Sequence, residues 1–415
     1  MSHLFVKMVI FVTFIFFAGA CGRVMDPITR SEKRQLNEQE VQLIASDNRF
    51  GIKIFKELAL SAQDSNIFIS PLSISLALGM TLNGAAGETR TAMEKTLELH
   101  GLTQDQINQS YLNLMTLLTQ LDPNVIFKIA NSIWMSDALA FEKEFIDINR
   151  HYFKARVEVL NFADPNSVSI INQWVADQTN GKIKNMIKQI NLDDIMFLIN
   201  AIYFKGIWTY QFDPKLTEEG QFYQPSGQVI PCKFMKQERE FLYQHDEQVQ
   251  SVDLPYGEGD FRMAVMLPKA GYSINQIISQ LSDEEFFQWL NRFQSRKGIL
   301  ELPKFKISYE KNLNDVLKSL GMAIAFSGAD ADFTNLFSGP GNAFISLVKH
   351  KSFVQVDEEG TEAAAATSVT MSRTSIGNDD FYMRADRPFL FVLYDNYSKT
   401  ILFLGKITEP LWANI

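Results

Sequence analysis

The most informative stretch of the sequence is EEGTEAAAATSVTMSRTS, residues 358–375. Its four consecutive alanines would suit a helix, since alanine has the highest helix propensity. However, Gly360 precedes them, β-branched residues follow, and no apolar stripe recurs at helical spacing. At a period of two, one side carries small and then apolar residues: Thr361, Ala363, Ala365, Thr367, Val369 and Met371. The pattern therefore predicts a half-buried strand with little side-chain volume, followed directly by the lone Arg373.

The composition of the whole chain indicates a folded globular protein. Hydrophobic residues make up 46% of the 415 residues, charged residues make up 21%, and the 33 phenylalanines indicate an aromatic-rich core. This length fits one large domain or two ordinary ones. The formal net charge of -9 argues against a general nucleic-acid binder, whose surface would be basic.

The N-terminal segment MSHLFVKMVIFVTFIFFAGACG has the pattern of a secretory signal peptide. Lys7 supplies the positive charge, residues 8–18 form a short apolar core, and Ala18-Gly19-Ala20 supplies small residues for cleavage after Ala20. We therefore expect a signal peptide at 1–20 and a secreted, extracellular protein, with an uncleaved anchor as the alternative. No other apolar run reaches membrane length, so no membrane partner is expected.

Two cysteines and two sequons bear on maturation. Cys21 and Cys232 are too few for a disulfide scaffold in so long a chain, although a single bridge between them stays open. Asn108 and Asn396 each begin an Asn-X-Ser motif, which predicts a glycoprotein. The alternative for both motifs is chance occurrence.

The order of patterns along the chain predicts an α+β fold in a single domain at 21–415. Helical patterns dominate early, as in SPLSISLALGMTLNGA, where Ser70 is a candidate cap and Pro71 occupies the first turn. The segments VIFKIANSIWMS and DIMFLINAIYFKGIW are β-branched and aromatic-rich, which predicts long central strands. The run RPFLFVLYDNYSKTILFLGKI predicts two apolar strands joined by a polar turn.

Motifs for catalysis or cofactor binding are lacking in the sequence. Among the five histidines there is no H-E-x-x-H pattern, and there is no C-x-x-C, G-x-S-x-G, P-loop or dinucleotide fingerprint. We therefore expect no metal, no cofactor and no enzymatic activity. A secreted hydrolase stays open only because a triad can assemble from distant residues.

Four segments together resemble the serpin family. They are NIFISPLSISLALGMTLNGAAGETRTAM, FLINAIYFKGIWTYQFDP, HKSFVQVDEEGTEAAAAT and ADRPFLFVLYDNYSKTILFLGKITEP, in the family's order along nearly all of the mature sequence. The resemblance implies a single large domain with three β-sheets, eight or nine helices and an exposed reactive-centre loop at about 358–380. It also implies a protease inhibitor that acts by a suicide mechanism. The target serine protease attacks the loop as a substrate and becomes acylated, and the N-terminal half of the loop then inserts into the large sheet.

The composition of the opening stretch fits such an insertion. The resemblance assigns the hinge that enters the sheet to Glu358, Glu359, Gly360, Thr361, Glu362, Ala363, Ala364, Ala365, Ala366 and Thr367. The 12 residues 361–372 span roughly 40 Å as a strand. New ladder hydrogen bonds at about 1 kcal/mol each would then release of order 10 kcal/mol, comparable with the stability of a whole domain. Non-inhibitory serpins often carry bulky, charged or proline residues here, whereas this sequence keeps GTEAAAAT, which favours an inhibitor. A non-inhibitory carrier or chaperone is the alternative.

Further residues carry over by their match to family motifs. Ser70, Ser73, Asn200 and His350 match the shutter, a polar group under the central strands that would hold the sheet closed. Trp208 matches the breach, the region where insertion begins. The alternative for His350 is a satisfied structural histidine.

The position of the scissile bond stays open between two neighbours. The usual loop length, counted from Gly360, places the cut after Thr374, between Thr374 and Ser375. A loop one residue shorter places it between Arg373 and Thr374. Trypsin-like proteases select arginine through a buried carboxylate, so Arg373 predicts such a protease as the target. The alternative for Arg373 is an ordinary solvated charge.

The segment equivalent to the heparin-binding helix of some serpins is residues 104–120. It contains no lysine or arginine, so we predict no heparin site on this helix. A polyanion site elsewhere stays open, and a monomer is expected.

Overall fold

The structure is a computed structural model that describes residues 33–191, 194–337, 343–361 and 380–412. The chain divides into two compact units, Met1–Leu36 and Asn37–Ile415, and all the helices and strands described below belong to the second. The predicted signal peptide at 1–20 lies outside the described residues. No helix among the described residues is both long and apolar enough to cross a membrane.

Nine α-helices are found in the described ranges: α1 Glu38–Ser61, α2 Pro71–Leu82, α3 Gly87–Thr96, α4 Gln104–Thr119, α5 Lys143–Tyr152, α6 Asn166–Gln178, α7 Ile274–Gln280, α8 Asp283–Leu290 and α9 Asn314–Leu317. Local sequence sets several of their starts. Asn37 and Glu40 form a reciprocal capping box that begins α1. Ser70 caps α2, with Pro71 in its first turn as predicted.

Fifteen strands occupy the same ranges: β1 Ile67–Ile69, β2 Val125–Ser136, β3 Arg156–Leu160, β4 Met196–Ile207, β5 Glu218–Tyr223, β6 Val229–His245, β7 Val249–Tyr256, β8 Phe261–Pro268, β9 Gln294–Pro303, β10 Phe305–Asn312, β11 Lys349–Val356, β12 Gly360–Thr361, β13 Phe381–Arg384, β14 Phe389–Asp395 and β15 Ile401–Ile407. The predicted central strands are β2 and β4, and the predicted C-terminal pair is β14 and β15. These elements confirm the α+β class.

A six-stranded sheet holds the predicted central strands. Its order is β10-β11-β12-β4-β2-β3, and β2 pairs antiparallel with β4 from Val125 opposite Gly206 to Met135 opposite Met196. The two-residue strand β12 lies between β11 and β4. Strands β11 and β4 therefore flank Gly360 and Thr361, which lie at the start of the predicted hinge.

The other described strands form a nine-stranded sheet, so the described residues contain two hydrogen-bonded sheets where three were expected. Its path is β1-β15-β14-β8-β7-β6-β9-β13, with β5 paired to β6. The physical reason is the length of β6, whose 17 residues pair first with β5 and β9 and then, near His245, with β7. Hydrogen bonding therefore continues through two regions that were expected to be separate sheets.

Helix α2 occupies the core beside both sheets. Eleven of its 12 residues are buried, which fits its nearly uniform apolar surface. Packed phenylalanines support the layers, as where Phe68 of β1 stacks on Phe403 of β15 with ring centroids 5.0 Å apart. Removal of such apolar surface from water is a main contribution to the stability of a folded core.

Candidate functional site between strands β4 and β11

Strand β12 places the beginning of the hinge inside the six-stranded sheet. Gly360 lies opposite Ile207 and Thr361 opposite Gly206 on β4, while Thr361 also lies opposite Val356 on β11. Both pairings are antiparallel. The predicted strand is therefore present at Gly360 and Thr361.

Gly360 is required by a close approach of two backbones. A Cβ atom added there would overlap the carbonyl oxygen of Gly206 and lie 2.9 Å from the Cα of Ile207. Such contacts exclude every residue with a side chain, because the obstructing atoms belong to the backbone. The family resemblance places this glycine in the hinge, and the structure shows in addition that it is needed for close backbone packing.

Thr361 ends a buried stack of aromatic rings. Its Oγ1 lies 2.6 Å from the hydroxyl of Tyr256, and the Tyr256 ring stacks on Trp208 with centroids 4.2 Å apart. All three side chains are buried, and Tyr256 is fully so. Burial raises the pKa of Tyr256 well above its usual value, so the phenol stays a neutral hydrogen-bonding group.

The predicted breach residue Trp208 also holds the residues before β12. Its indole Nε1 donates to the carbonyl of Asp357 at 2.9 Å, and its backbone N–H donates to the carbonyl of Glu359 at 2.9 Å. The N–H of Phe212 donates to the carbonyl of Glu358 at 2.9 Å. The turn into β12 is therefore fixed to the end of β4 by three hydrogen bonds.

The Glu358 carboxylate is paired in a region of low exposure. It accepts from Lys304 Nζ at 2.6 Å and from Thr217 Oγ1 at 2.8 Å. Burial by itself would raise the pKa of Glu358, but these hydrogen bonds and the Lys304 charge together hold it below its ordinary value. The hinge therefore starts at an anchored, ionised side chain.

Two of the four predicted shutter residues are in direct contact. His350 Nε2 accepts from the backbone N–H of Ser70 at 3.2 Å, and Ser70 Oγ donates to the carbonyl of Leu402 at 2.8 Å. The acceptor role of Nε2 assigns the ring proton to Nδ1. Burial lowers the pKa of His350 from 6.5 to about 4, so the ring is neutral at physiological pH.

Ser73 is linked to this pair through Ser70, whereas Asn200 has a different partner. The backbone N–H of Ser73 donates to Ser70 Oγ at 3.2 Å, which is the cap of α2. Asn200 Nδ2 donates to Asn131 Oδ1 at 2.7 Å, whereas Asn200 Oδ1 is buried and has no hydrogen-bond partner in the described part of the chain. The four side chains thus line one region without forming a single closed network.

Several predicted residues lie outside the described ranges. They are the hinge positions Glu362, Ala363, Ala364, Ala365, Ala366 and Thr367, the reactive-bond candidates Arg373, Thr374 and Ser375, and Cys21. Cys232 is described, and its half-buried thiol has no disulfide partner in these ranges.

The two sequons differ sharply in exposure. Asn108 is 1% exposed on α4, and its Nδ2 donates to Asn83 Oδ1 at 3.0 Å. Because a glycan would be attached at that same nitrogen, the buried position contradicts the expectation at Asn108. Asn396 is exposed in the turn between β14 and β15, and its glycosylation stays a prediction.

Sequence reasoning missed Tyr256, Lys304 and Asp357. Each lies far along the chain from at least one residue that it contacts: Tyr256 is 105 positions from Thr361, and Lys304 is 54 positions from Glu358. No local motif marks them. A pattern of correlated substitutions in related sequences would have been the signal.

Comparisons with known proteins agree with this geometry. The family model described as serpin (serine protease inhibitor) matches residues 45–410. Mouse antithrombin-III is 31% identical over 385 residues, which cover 90% of this chain and 83% of that protein.

Solved structures extend the likeness to the fold. The native state of the thermophilic serpin tengpin matches with a TM-score of 0.80 at 33% identity, covering 91% of this chain and 96% of that one. Human thyroxine-binding globulin in complex with thyroxine matches with a TM-score of 0.81 at 26% identity, covering 90% and 100%. The family model and the identity over most of both chains show that this protein belongs to the serpin family.

Proposed function

We propose that the protein is a secreted suicide-substrate inhibitor of a trypsin-like serine protease. The observation that carries the proposal is the position of β12: Gly360 and Thr361 already pair with β4, and Thr361 also pairs with β11. Cleavage beyond the hinge would free the following residues to continue the same strand. The protein would be cleaved as a substrate and would then hold the protease in a covalent complex, with no catalytic turnover of its own.

The register of β12 specifies where the following residues would go. Thr361 lies between Gly206 and Val356 in antiparallel pairings. Six residues further along, the same register brings Thr367 between Asn200 and His350, two of the predicted shutter residues. A threonine hydroxyl there would be a donor for Asn200 Oδ1, which is buried without a partner in the described ranges. The hinge thus supplies a polar side chain where the sheet has an unmet polar group.

The small side chains of the hinge also support an inhibitor that acts by loop insertion. A strand that enters between β4 and β11 must pass residues that are already packed, and alanine adds little volume. Every residue that inserts gains ladder hydrogen bonds, which together are worth of order 10 kcal/mol. That gain would follow cleavage and would drive displacement of the acylated protease.

Specificity rests on residues just beyond the hinge. Arg373 fits a trypsin-like protease if the cut lies between Arg373 and Thr374, and the alternative cut lies between Thr374 and Ser375. Secretion, removal of residues 1–20, a monomeric state and a glycan at Asn396 belong to this proposal. Helix α4 carries no lysine or arginine, which supports the absence of a heparin site there.

The decisive experiment mixes the protein with trypsin and follows the products on a denaturing gel. A heavy complex that survives denaturation is the expected result, and the mass of the released C-terminal peptide identifies the scissile bond. Arg373→Gln is the specificity variant, and Thr374→Val is its matched neighbour control. If Arg373 is selected by the protease, only the first variant slows complex formation strongly.

A carrier or chaperone is the outcome that would replace this proposal. Thyroxine-binding globulin, which shares the fold, is a relative whose structure holds a small molecule. Cleavage of the loop without complex formation, by trypsin and by proteases of other specificities, would favour that function. A cleaved form that gains no thermal stability would do so independently of the protease chosen.

A further inference from the structure

A cavity of about 140 Å³ lies between helix α2 and the strands β4 and β11. The two-residue strand β12 pairs with residues 206–207 of β4, whereas the cavity is lined by residues 196–200 of that strand. Residues 343–350, which include the start of β11, line its other side. The cavity therefore lies along the line that β12 would follow if this strand were longer.

Helix α2 presents small side chains to the cavity. Ser73, Ala77 and Thr81 are spaced by four residues, so they form one stripe on the helix, and all three line the cavity. Ala77 is half-exposed, whereas the other residues of α2 are buried. Because this helix lies in the core, an accessible alanine on it marks a gap in the packing.

Most of the cavity wall is apolar. It is formed by side chains from α2, from β4 and from the segments that precede β11, among them Leu78, Leu198, Phe333, Leu336 and Val348. Lys349 also lines the cavity, but its ammonium is bound by the Glu310 carboxylate at 2.7 Å. Since an apolar cavity of about 150 Å³ can hold benzene, the volume suits a single aromatic ring.

Two buried polar groups at the cavity have no hydrogen-bond partner in the parts of the chain that the structure describes. Asn200 donates to Asn131 through Nδ2, but its Oδ1 is left without a donor. His350 accepts from Ser70 through Nε2, which leaves its Nδ1–H without an acceptor. Both side chains line the cavity, and Asn200 is 7% exposed and His350 4% exposed. Buried groups of this kind are normally paired, so the cavity offers one donor and one acceptor to a ligand.

Strand register places the two groups on opposite sides of one space. Thr361 lies between Gly206 and Val356, and six residues further along the same antiparallel register come Asn200 and His350. Two strands with one vacant strand position between them are about 9–10 Å apart. The space between Asn200 and His350 is therefore as wide as one strand.

We propose that this cavity binds a small uncharged molecule with an aromatic ring and one hydroxyl group, as in a phenol. The ring fills the apolar part, and the hydroxyl accepts a hydrogen bond from His350 Nδ1–H and donates one to Asn200 Oδ1. A charged ligand is disfavoured, because the His350 ring is neutral at physiological pH and an unpaired charge is costly to bury. The register brings Thr367 to the same two groups, so the ligand and an inserting hinge would exclude each other. Binding stands by itself, whereas this competition rests on the proposed inhibitory function.

The binding test compares phenol with toluene by isothermal titration calorimetry of the full mature protein at neutral pH. The two molecules have the same shape and differ by a hydroxyl group in place of a methyl group. A cavity without polar groups would favour toluene, which is the more hydrophobic of the two. We expect phenol to bind at least about tenfold more tightly, because only phenol can pair with Asn200 and His350. Binding of neither molecule, or tighter binding of toluene, would overturn the proposal.

Replacement of the acceptor tests the polar contact. Asn200→Leu removes Oδ1 with little change in side-chain size, so it should reverse the preference and make toluene the tighter ligand. Asn166→Leu makes the same change at an exposed position of α6 and should leave the preference for phenol unchanged. A preference for phenol that survives Asn200→Leu would refute the assigned contact.

A second variant tests the cavity itself and leaves both polar groups in place. Ala77→Leu adds three carbon atoms to the stripe of α2 that lines the space. It should abolish phenol binding and raise the melting temperature, since it fills a gap in the core. Ala92→Leu, at a half-exposed position of α3, is the matched control and should leave phenol affinity unchanged. Undiminished phenol binding by a folded Ala77→Leu protein would place the ligand elsewhere and overturn the assignment.

The insertion test adds phenol before trypsin and measures the rate at which the denaturation-resistant complex forms. Trypsin activity on a small chromogenic substrate is followed in parallel to exclude a direct effect of phenol on the protease. We expect slower complex formation with the wild-type protein and no effect of phenol with Ala77→Leu. Binding without any change in that rate would refute the competition. Binding without any complex at all would instead count against the proposed inhibitory function, and the binding site would stand.

Discussion

Replacing Thr361 with arginine perturbs the hinge where the structure describes it best. Thr361 is 3% exposed, lies between the backbones of Gly206 and Val356, and has its hydroxyl 2.6 Å from that of Tyr256. The residues opposite this position, Gly206 and Val356, offer an arginine no acidic partner. The guanidinium would have to be buried unpaired, or the hinge would have to leave the sheet.

The size of the effect depends on whether the variant buries the guanidinium or releases the hinge from the sheet. Leaving the sheet exposes the hinge and removes the Thr361–Tyr256 hydrogen bond, at about 1 kcal/mol, with about 1–3 kcal/mol more for the buried hydroxyl left unpaired. Burying the charge without a partner costs several kcal/mol even after relaxation. If the variant's hinge leaves the sheet, insertion must first bury the guanidinium, and an increase of about 3 kcal/mol in that barrier slows the step about 150-fold. Deacylation of the protease would then be faster than insertion.

The assay is the partition between covalent complex and cleaved inhibitor on a denaturing gel. Wild-type protein should trap protease at close to one inhibitor consumed per protease, whereas Thr361→Arg should be cleaved many times for each complex formed. Thr361→Ser keeps the hydroxyl and serves as the control. Full trapping by Thr361→Arg, with the same stoichiometry as Thr361→Ser, would refute the insertion reasoning.

The remaining predictions concern stability of the intact form, measured as urea midpoints against pH or in matched variants. Burial lowers the pKa of His350 from 6.5 to about 4, so its contribution, about 3 kcal/mol, is present above pH 6.5 and is lost as pH falls towards 4. His350→Gln should therefore make the urea midpoint less dependent on pH between 6.5 and 4. An unchanged pH dependence would contradict the assignment. Burial raises the pKa of Asp47 from 3.8 to about 7, so its contribution, about 4 kcal/mol, is present below pH 3.8 and is lost as pH rises through 7. Asp47→Asn should consequently gain stability over wild type mainly at pH 8, and an equal change at pH 4 would argue against it. Lys304→Met leaves the buried Glu358 carboxylate without its cation and should cost about 2–3 kcal/mol at pH 7, an effect that Glu358→Gln in the same protein should largely remove.

Much of the fold could be predicted because its signals are local. The 12-residue strand β2 coincides with the predicted segment, since β-branched and aromatic residues run through it without a turn signal. Helix α2 was predicted from Ser70, Pro71 and an apolar run, all within a few residues of one another. The number of sheets was less accessible, because it depends on how far β6 pairs with strands distant in sequence.

The residues of the candidate site could likewise be predicted only where local sequence signals mark them. Trp208 and Ser70 were found because they belong to recognisable segments, yet their partners were not. Trp208 donates to the carbonyl of Asp357, 149 positions away, and the backbone N–H of Ser70 donates to His350, 280 positions away. The buried state of Asn108 was also missed, since a sequon carries no information about the packing of its helix.

The sequence by itself determined the class of protein, the strand character of Thr361 and the composition of the hinge, because these depend on residue type and order. Only the tertiary structure decided that Gly360 is needed for backbone contact with Gly206 and that the hydroxyls of Tyr256 and Thr361 are hydrogen-bonded. The physical reason is that chain connectivity restricts neighbours along the sequence, whereas contacts across a sheet depend on register and packing over hundreds of residues.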